Sequence, residues 1–382
     1  MLFIKKHKKA FLFLLVLVLL WVGAFIWSLT VMPYRYEGEP LPETAEGEVR
    51  FVNDGTCTPY LAKYGADGEM LDVPFKVITI GDSHLTDESG DIFFEKLTIL
   101  LEQTKPDLIV LLGDLILSGK EDIQNKLADY FEGRKQYWGF VPGNHDGQEY
   151  AGTDDRYEQH RWWYPTMTGS PYCVCFDEGG DEVYGFGNCA VNIRTSKGIS
   201  QTLFFIDNSL DNESGNAIDI NQVQWYERKI SEISEENGGK TVPSTVFMHR
   251  PIEEYQDAWD LAQKGEAELV YGDCIEEIEY GQNGSLIYEK AKELGSTHTF
   301  ICGHEHKNDT RIILDGINMI YTQGLHFETY GRSTAIKWKI LYAVNRKCNW
   351  FTEGGTGLVY SSDGDCQIVP CYIPLDYFFY TR

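Results

Sequence analysis

Positive charge is scarce in this sequence. Lys and Arg number 33 against 58 Asp and Glu, for a formal net charge of −25. That imbalance excludes electrostatic binding to nucleic acid, which needs clustered Lys and Arg to neutralise phosphates. Any polyanionic substrate must be met by local positive charge, such as a metal. Pro- or Ser-rich low-complexity tracts are missing and no internal repeat occurs, which excludes a disordered chain and a repeat array. With 382 residues, 43% hydrophobic and 14% aromatic, the chain can bury a large core, as one large or two fused domains.

One long uncharged run stands out. Lys5, Lys6, Lys8 and Lys9 precede an apolar segment from Ala10 to Met32, long enough to cross a bilayer, and the basic flank favours a cytoplasmic N-terminus. The rival reading is a cleavable signal peptide ending near Val22-Gly23-Ala24. Because the apolar run continues past that point, a retained single-pass anchor is expected; either reading puts Tyr34 to Arg382 outside the cytosol. Cysteines can pair in that oxidising compartment. There are nine, an odd number, and Cys302, inside an apolar run, is the expected unpaired one. Cys173, Cys175 and Cys189 cluster in sequence, as do Cys348, Cys366 and Cys371, so local bridges are expected. Sequons at Asn212, Asn283 and Asn308 mark a glycoprotein where the host glycosylates.

The expected organisation is a basic N-terminus (1–9), an anchor (10–32), an acidic juxtamembrane stalk (33–72), an α/β domain (73–345) and a Cys-containing extension (346–382). From Phe75, short apolar runs alternate with amphipathic stretches. "FKVITI", "DLIVLL" and "YWGFVP" read as strands separated by the helices "DIFFEKLTILLEQ" and "EDIQNKLADYFEG", two crossovers that imply parallel strands. Further strands are "TLFFID", "STVFMH", "THTFICG", "RIIL" and "INMIY". The stretches Gly147–Ser200 and Arg250–Gly284 read as irregular insertions that would carry specificity.

The polar residues at strand ends carry the chemistry, because ligands in α/β sheets bind beyond the carboxyl ends of strands. "VITI" runs into Gly81-Asp82-Ser83-His84, "IVLL" into Gly113-Asp114, and "GFVP" into Gly143-Asn144-His145-Asp146. "VFM" runs into His249, and "TFIC" into Gly303-His304-Glu305-His306. Taken singly, each has an ordinary alternative: a surface hydrogen bond, a turn, or a satisfied core histidine. Together they deliver two aspartates, an asparagine and five histidines to one rim. Histidine nitrogen mixed with carboxylate oxygen suits a first-row divalent ion such as Zn, Mn or Fe and disfavours an all-oxygen calcium or magnesium cage. The count exceeds one ion's needs and fits two ions sharing a carboxylate, an arrangement suited to phosphoryl transfer.

In this order, "GDSH", "GD", "GNHD", "FMH" and "GHEH" resemble the signature of calcineurin-like metallophosphoesterases, over roughly Phe75 to Tyr330. "FMHRPIEEY", "GHEHKND" and "DGINMIY" resemble the small purple-acid-phosphatase-related branch. The resemblance implies a four-layer α/β/β/α sandwich. It implies one ion on Asp82, His84, Asp114 and His306, a second on Asp114, Asn144, His249 and His304, and Asp114 as the bridge. It further implies a bridging hydroxide as nucleophile, His145 as proton donor or charge stabiliser at the leaving oxygen, and Asp146 as a residue orienting His145. Where purple enzymes carry an iron-binding tyrosine this chain has Leu117, so no purple colour is expected. Where calcineurin-type protein phosphatases carry Asp-Arg-Gly it has Leu117-Ser118-Gly119. Arg250 is a candidate grip for phosphate, its alternative being a salt bridge with Glu253 or Glu254. The expected activity is a phosphomonoesterase, the alternatives being a phosphodiesterase or nucleotide pyrophosphatase on the same site, or a surface protein that binds without turnover. Substrate identity and oligomeric state are not legible.

Overall fold

Along the central strands successive residues join alternate cores, and the alternation builds the layers. Leu203, Phe205, Phe247, Ile301 and Ile320 enter one apolar core, whereas Phe204, Ile206, Val246, Met248, Phe300, Cys302, Met319 and Tyr321 enter another. Successive side chains of a strand point to opposite faces, so these strands separate two cores. The computed structural model describes residues 13, 15–23, 41–86, 90–117, 121–148, 152–212, 215, 217–325 and 353–373.

Two sheets result. One has nine strands in the order β1-β2-β6-β7-β8-β10-β12-β11-β9, the other five in the order β14-β13-β3-β4-β5. In the smaller sheet, β3 (Phe75–Gly81), β4 (Leu108–Leu112) and β5 (Tyr137–Val141) are parallel, as the two crossovers predict. The crossovers are helices α1 (Gly90–Thr104) and α2 (Glu121–Arg134). β4 is buried at every position, which fits a strand covered on both faces. Phe93, Leu97 and Leu100 of α1 with Ile123, Leu127 and Phe131 of α2 join the core that also holds the inward residues of the larger sheet.

The larger sheet comprises β1 (Glu48–Val52), β2 (Tyr60–Tyr64), β6 (Cys189–Thr195), β7 (Gly198–Phe205), β8 (Ser244–Phe247), β9 (Glu268–Asp273), β10 (Thr297–Cys302), β11 (Asp309–Leu314) and β12 (Ile317–Tyr321). Its outer face packs on α4 (Ile220–Glu236), α5 (Glu253–Lys264) and α6 (Ser285–Leu294) through Tyr226, Tyr255, Ala258, Ile287 and Tyr288. A further helix, α3 (Arg156–Met167), adds Trp163, Tyr164 and Met167 to the first core. Helix, sheet, sheet, helix is the expected four-layer order.

Several boundaries differ from the sequence reading. The expected stalk supplies β1 and β2, and β2 runs parallel to β6 (Tyr60 opposite Asn192), so residues 48–64 are part of the large sheet. The expected C-terminal extension supplies β13 (Gly354–Tyr360) and β14 (Cys366–Tyr372), and β13 lies antiparallel to β3. The stretches read as irregular contain α3, β6, α5 and β9. The expected anchor falls largely outside the described residues. Residues 13 and 15–23 are helical with their apolar side chains exposed, and no helix among the described residues is long and apolar enough to cross a membrane.

Among the described residues the cysteines are free thiols, Cys302 buried as expected. Cys173 and Cys189 do lie against Cys175, whose thiol is pushed well up by burial and by those two neighbours. Cys366 and Cys371, however, stand five residues apart on β14, about 16 Å of extended chain and beyond bridging reach; Cys348 lies outside the described residues. Of the sequons, Asn308 is fully buried with its side chain engaged by the backbone of Ile275 and Glu276, which leaves no room for a glycan, whereas Asn283 is exposed.

Candidate metal centre

Each predicted ligand lies just beyond a strand end, and the two sheets bring their strand ends to one place. β3, β4 and β5 deliver Asp82, His84, Asp114, Asn144 and His145; β8 and β10 deliver His249, His304 and His306. Asp82, His84 and His306 form one cluster and Asp114, His249 and His304 a second, ligand atoms within each lying within 4.8 Å of one another. Asp82, His84, Asp114 and His249 are buried. His306 and the turn bearing Asn144 and His145 are partly exposed, so the site opens on that side.

Asp114 stands between the clusters. Its Oδ2 is 3.6 Å from His84 Nε2 and its Oδ1 is 3.5 Å from His249 Nε2. Around the first cluster, Asp82 Oδ1 lies 3.5 Å from His306 Nε2 and 3.9 Å from His84 Nε2, and the two imidazole Nε2 atoms are 2.9 Å apart. Around the second, His249 Nε2 is 2.9 Å from Asn144 Oδ1 and 3.2 Å from His304 Nδ1.

These donors fit a cation. Asp82 Oδ1 is buried and accepts no hydrogen bond; at 3.5 Å its approach to His306 is ionic only. His249 Nδ1 lies 2.8 Å from the Leu112 carbonyl, an acceptor only, so Nδ1 carries a proton. In the neutral ring the Nε2 lone pair then faces the Asn144 and Asp114 oxygens, acceptor against acceptor, an arrangement that a divalent ion satisfies. Burial, followed by the neighbouring His249, lowers His304 to about 3, which keeps its lone pair free for a metal. Burial raises the Asp114 carboxyl against the pull of His249. For Asp82 burial acts in the same sense, but His306, then His249 and His84, outweigh it and lower that carboxyl.

The backbone is strained where the ligands sit. Asp82, His84, Asp114 and His304 have φ of 41°, 43°, 47° and 78°, a left-handed region that costs a non-glycine residue about 1–3 kcal/mol. Hydrogen bonds between the loops hold it there. His84 N donates to the Asp114 carbonyl at 2.8 Å, His304 N to Asp82 Oδ2 at 2.8 Å, and His145 N to Asp114 Oδ1 at 2.7 Å. The glycine before Asn144 has a steric reason: a Cβ on Gly143 would sit 2.2 Å from Asp114 Oδ1.

Two expectations require correction. Asp146 does not orient His145. It is fully buried, and its carboxylate accepts from Leu115 N (2.8 Å), Ile116 N (3.0 Å) and Gly143 N (2.8 Å), tying the Asp114 loop to the Asn144 turn. The His145 ring meets Gln148 instead, Nε2 to Nδ1 at 2.9 Å. Arg250 pairs with neither glutamate; its Nη1 donates to Asp211 Oδ1 at 2.8 Å. Leu117 hydrogen-bonds through its backbone to Leu85, and 118–120 lie outside the described residues.

Asn208 is a supporting residue that the sequence reading missed. Buried just past β7, it accepts at Oδ1 from His249 N (3.1 Å) and Arg250 N (3.0 Å) and donates from Nδ2 to the Arg250 carbonyl (2.7 Å). Its signal was its place, a polar residue after an apolar strand, but with no glycine or histidine to mark it. Asn208→Ala should cost about 1–2 kcal/mol of stability from the orphaned backbone groups. It should also weaken the second ion about tenfold through a loosened His249, both readable by urea unfolding and zinc titration; Asn208→Asp, which keeps the acceptor but sets an oxygen against the Arg250 carbonyl, should lie between parent and alanine.

The fold and the clusters define a phosphoesterase of the dimetal type, and the chain belongs to the calcineurin-like phosphoesterase family, whose domain matches residues 75–308. Among curated proteins it is similar to probable inactive purple acid phosphatases 29 and 28 of Arabidopsis thaliana. Identity is 24% over 66% of this chain and 67% of the first, and 23% over 86% of this chain and 84% of the second. Among solved structures it resembles a dimetal phosphatase from Danio rerio, 14% identical, covering 78% of this chain and 99% of that one, with a TM-score of 0.44.

Proposed function

We propose that this protein hydrolyses phosphomonoesters with two divalent ions, one held by Asp82, His84, Asp114 and His306, the other by Asp114, Asn144, His249 and His304. The division of Asp114, one oxygen toward each cluster, is the observation that carries the reading. Such an ion pair supplies Lewis acidity and lowers the pKa of a water held at the site. The chain's own part is to fix the ligands on short, cross-linked loops and to exclude bulk water from Asp82, His84 and His249. His145, partly exposed and with its ring centroid 5.7 Å from that of His84, serves the leaving oxygen at the open side. Zn, Mn and Fe(II) suit the mixed nitrogen and oxygen donors.

The monoester preference draws on the purple acid phosphatase names of the relatives. The word "inactive" in those names favours a second reading, a phosphoester-binding protein without turnover; the complete ligand set and His145 weigh against it. The exposed apolar helix at 15–23, behind four lysines, supports a retained anchor with the catalytic domain outside the cytoplasm. The test is the full chain in detergent, loaded in turn with zinc, manganese and ferrous ion, on p-nitrophenyl phosphate and its bis ester. Faster monoester turnover is expected. A preference for the diester would make the protein a phosphodiesterase, and two bound ions without any hydrolysis would establish the non-catalytic reading.

A further inference from the structure

The turn from Gly143 to Gln148 is held more tightly than ligand presentation by Asn144 requires. Asp146 N donates to the Gly143 carbonyl at 3.2 Å and Gln148 N to the His145 carbonyl at 3.4 Å. Beneath it, the Asp146 carboxylate takes three backbone N–H groups. At its flank, the Arg156 guanidinium donates to the carbonyls of Asn144 and Asp146 and to Gln159 Oε1 at 2.6 Å. Asp114 Oδ1 fixes the His145 backbone. The side chain hydrogen-bonded to the His145 ring is Gln148, its amide nitrogen 2.9 Å from Nδ1. An amide N–H₂ can only donate, so Nδ1 accepts and the ring's proton sits on Nε2.

Resting on the proposed hydrolysis, we propose that Gln148 is a positioning residue that fixes the His145 ring with Nδ1 toward the amide and its N–H on Nε2. His145 then acts by hydrogen-bond donation to the leaving ester oxygen as the P–O bond breaks, and not by giving up a proton. The ring keeps its proton throughout, and the leaving oxygen takes its own from solvent. A fixed donor aimed at developing charge stabilises the transition state without rearrangement. A carboxylate in Gln148's place would accept from Nδ1 and reverse the tautomer. The neutral amide is therefore the chemically specific choice, and its benefit grows as the leaving oxygen becomes more basic.

The test reads the ring directly. Full-length zinc-loaded protein with ¹⁵N-labelled histidine is compared with Gln148→Leu and Gln148→Glu by two-bond ¹H–¹⁵N correlation, His145 being assigned from the spectrum of His145→Asn. The parent should show the Nε2–H tautomer, Gln148→Leu a mixture, and Gln148→Glu proton density on Nδ1, all with metal content at the parent level. In kinetics, Gln148→Glu should lower kcat about tenfold or more on an alkyl phosphate and less than about threefold on p-nitrophenyl phosphate. An Nδ1–H or doubly protonated His145 in the parent, an unchanged ring in both variants, or equal losses on both esters would overturn the proposal. A parent with the expected tautomer and no turnover would instead defeat the hydrolase reading and leave the assignment of Gln148 to the ring intact.

Discussion

Asp114→Asn is expected to abolish retention of the paired ions and to reduce hydrolysis of p-nitrophenyl phosphate by at least about a hundredfold, the upper end of what losing a mere supporting partner of a ligand costs. The replaced group touches both clusters, Oδ2 toward His84 and Oδ1 toward His249, so neither ion escapes its loss. Stability should move the other way in the metal-free protein. A buried carboxylate without a counter-cation is costly, and burial already pushes this one toward its neutral form. The asparagine removes that charge, and its side-chain oxygen still accepts from His145 N. The metal-free variant should therefore melt no lower than the metal-free parent. Zinc at about a hundred times its dissociation constant should stabilise the parent by roughly 2.7 kcal/mol and the variant hardly at all. Metal analysis, ester assays and melts with and without zinc check each part; activity equal to the parent's would refute the bridge.

Asp146→Ala is expected to destabilise the protein by roughly 3 kcal/mol, about 1 kcal/mol for each of three buried N–H groups left without an acceptor, and to release metal as well. Removing a fully buried charge works in the opposite sense. Burial and the nearby Asp114 push this carboxyl well up, toward its neutral form, which lessens that opposing gain; its oxygens accept from Leu115, Ile116 and Gly143 together, so the loss of three acceptors dominates. Because these bonds join the Asp114 loop to the Asn144 turn, the second cluster opens when they go. Asp146→Asn keeps one oxygen but sets an amide nitrogen against backbone donors, and should lie between parent and alanine. Urea unfolding with metal analysis reads both effects; an alanine variant within about 0.5 kcal/mol of the parent would mean that water replaces the carboxylate.

The ligand set was legible because each member follows directly on a buried strand, and strand-to-loop succession is a local signal. The parallel arrangement of β3, β4 and β5 followed from the alternation of apolar and amphipathic runs, whereas the four-layer order was implied only by the family resemblance. What supports the ligands was not legible, since it depends on contacts remote in sequence. Asp146 sits in the most recognisable turn of the site, yet its partners Leu115 and Ile116 are 31 and 30 residues away. Asn208 meets His249 across 41. Arg250, a candidate grip for phosphate, has its ion-pair partner not in Glu253 or Glu254 but in Asp211, across 39 residues. The outer strands failed for a related reason. β13, "GGTGLVY", is too glycine-punctuated to read from sequence, but every residue in it is buried, its neighbour being β3.

That neighbour sets the order of assembly. β3 leads into Asp82 and His84, yet it is completed only when Thr356 to Tyr360 pair with Thr79 to Phe75, a separation of some 280 residues in the chain. Contacts this distant form late and slowly. A chain growing from its N-terminus therefore carries the strand before the first ligand motif without this partner until residues 356–360 have been made. Every ligand up to His306 is thus made before the strand that closes the sheet beside β3.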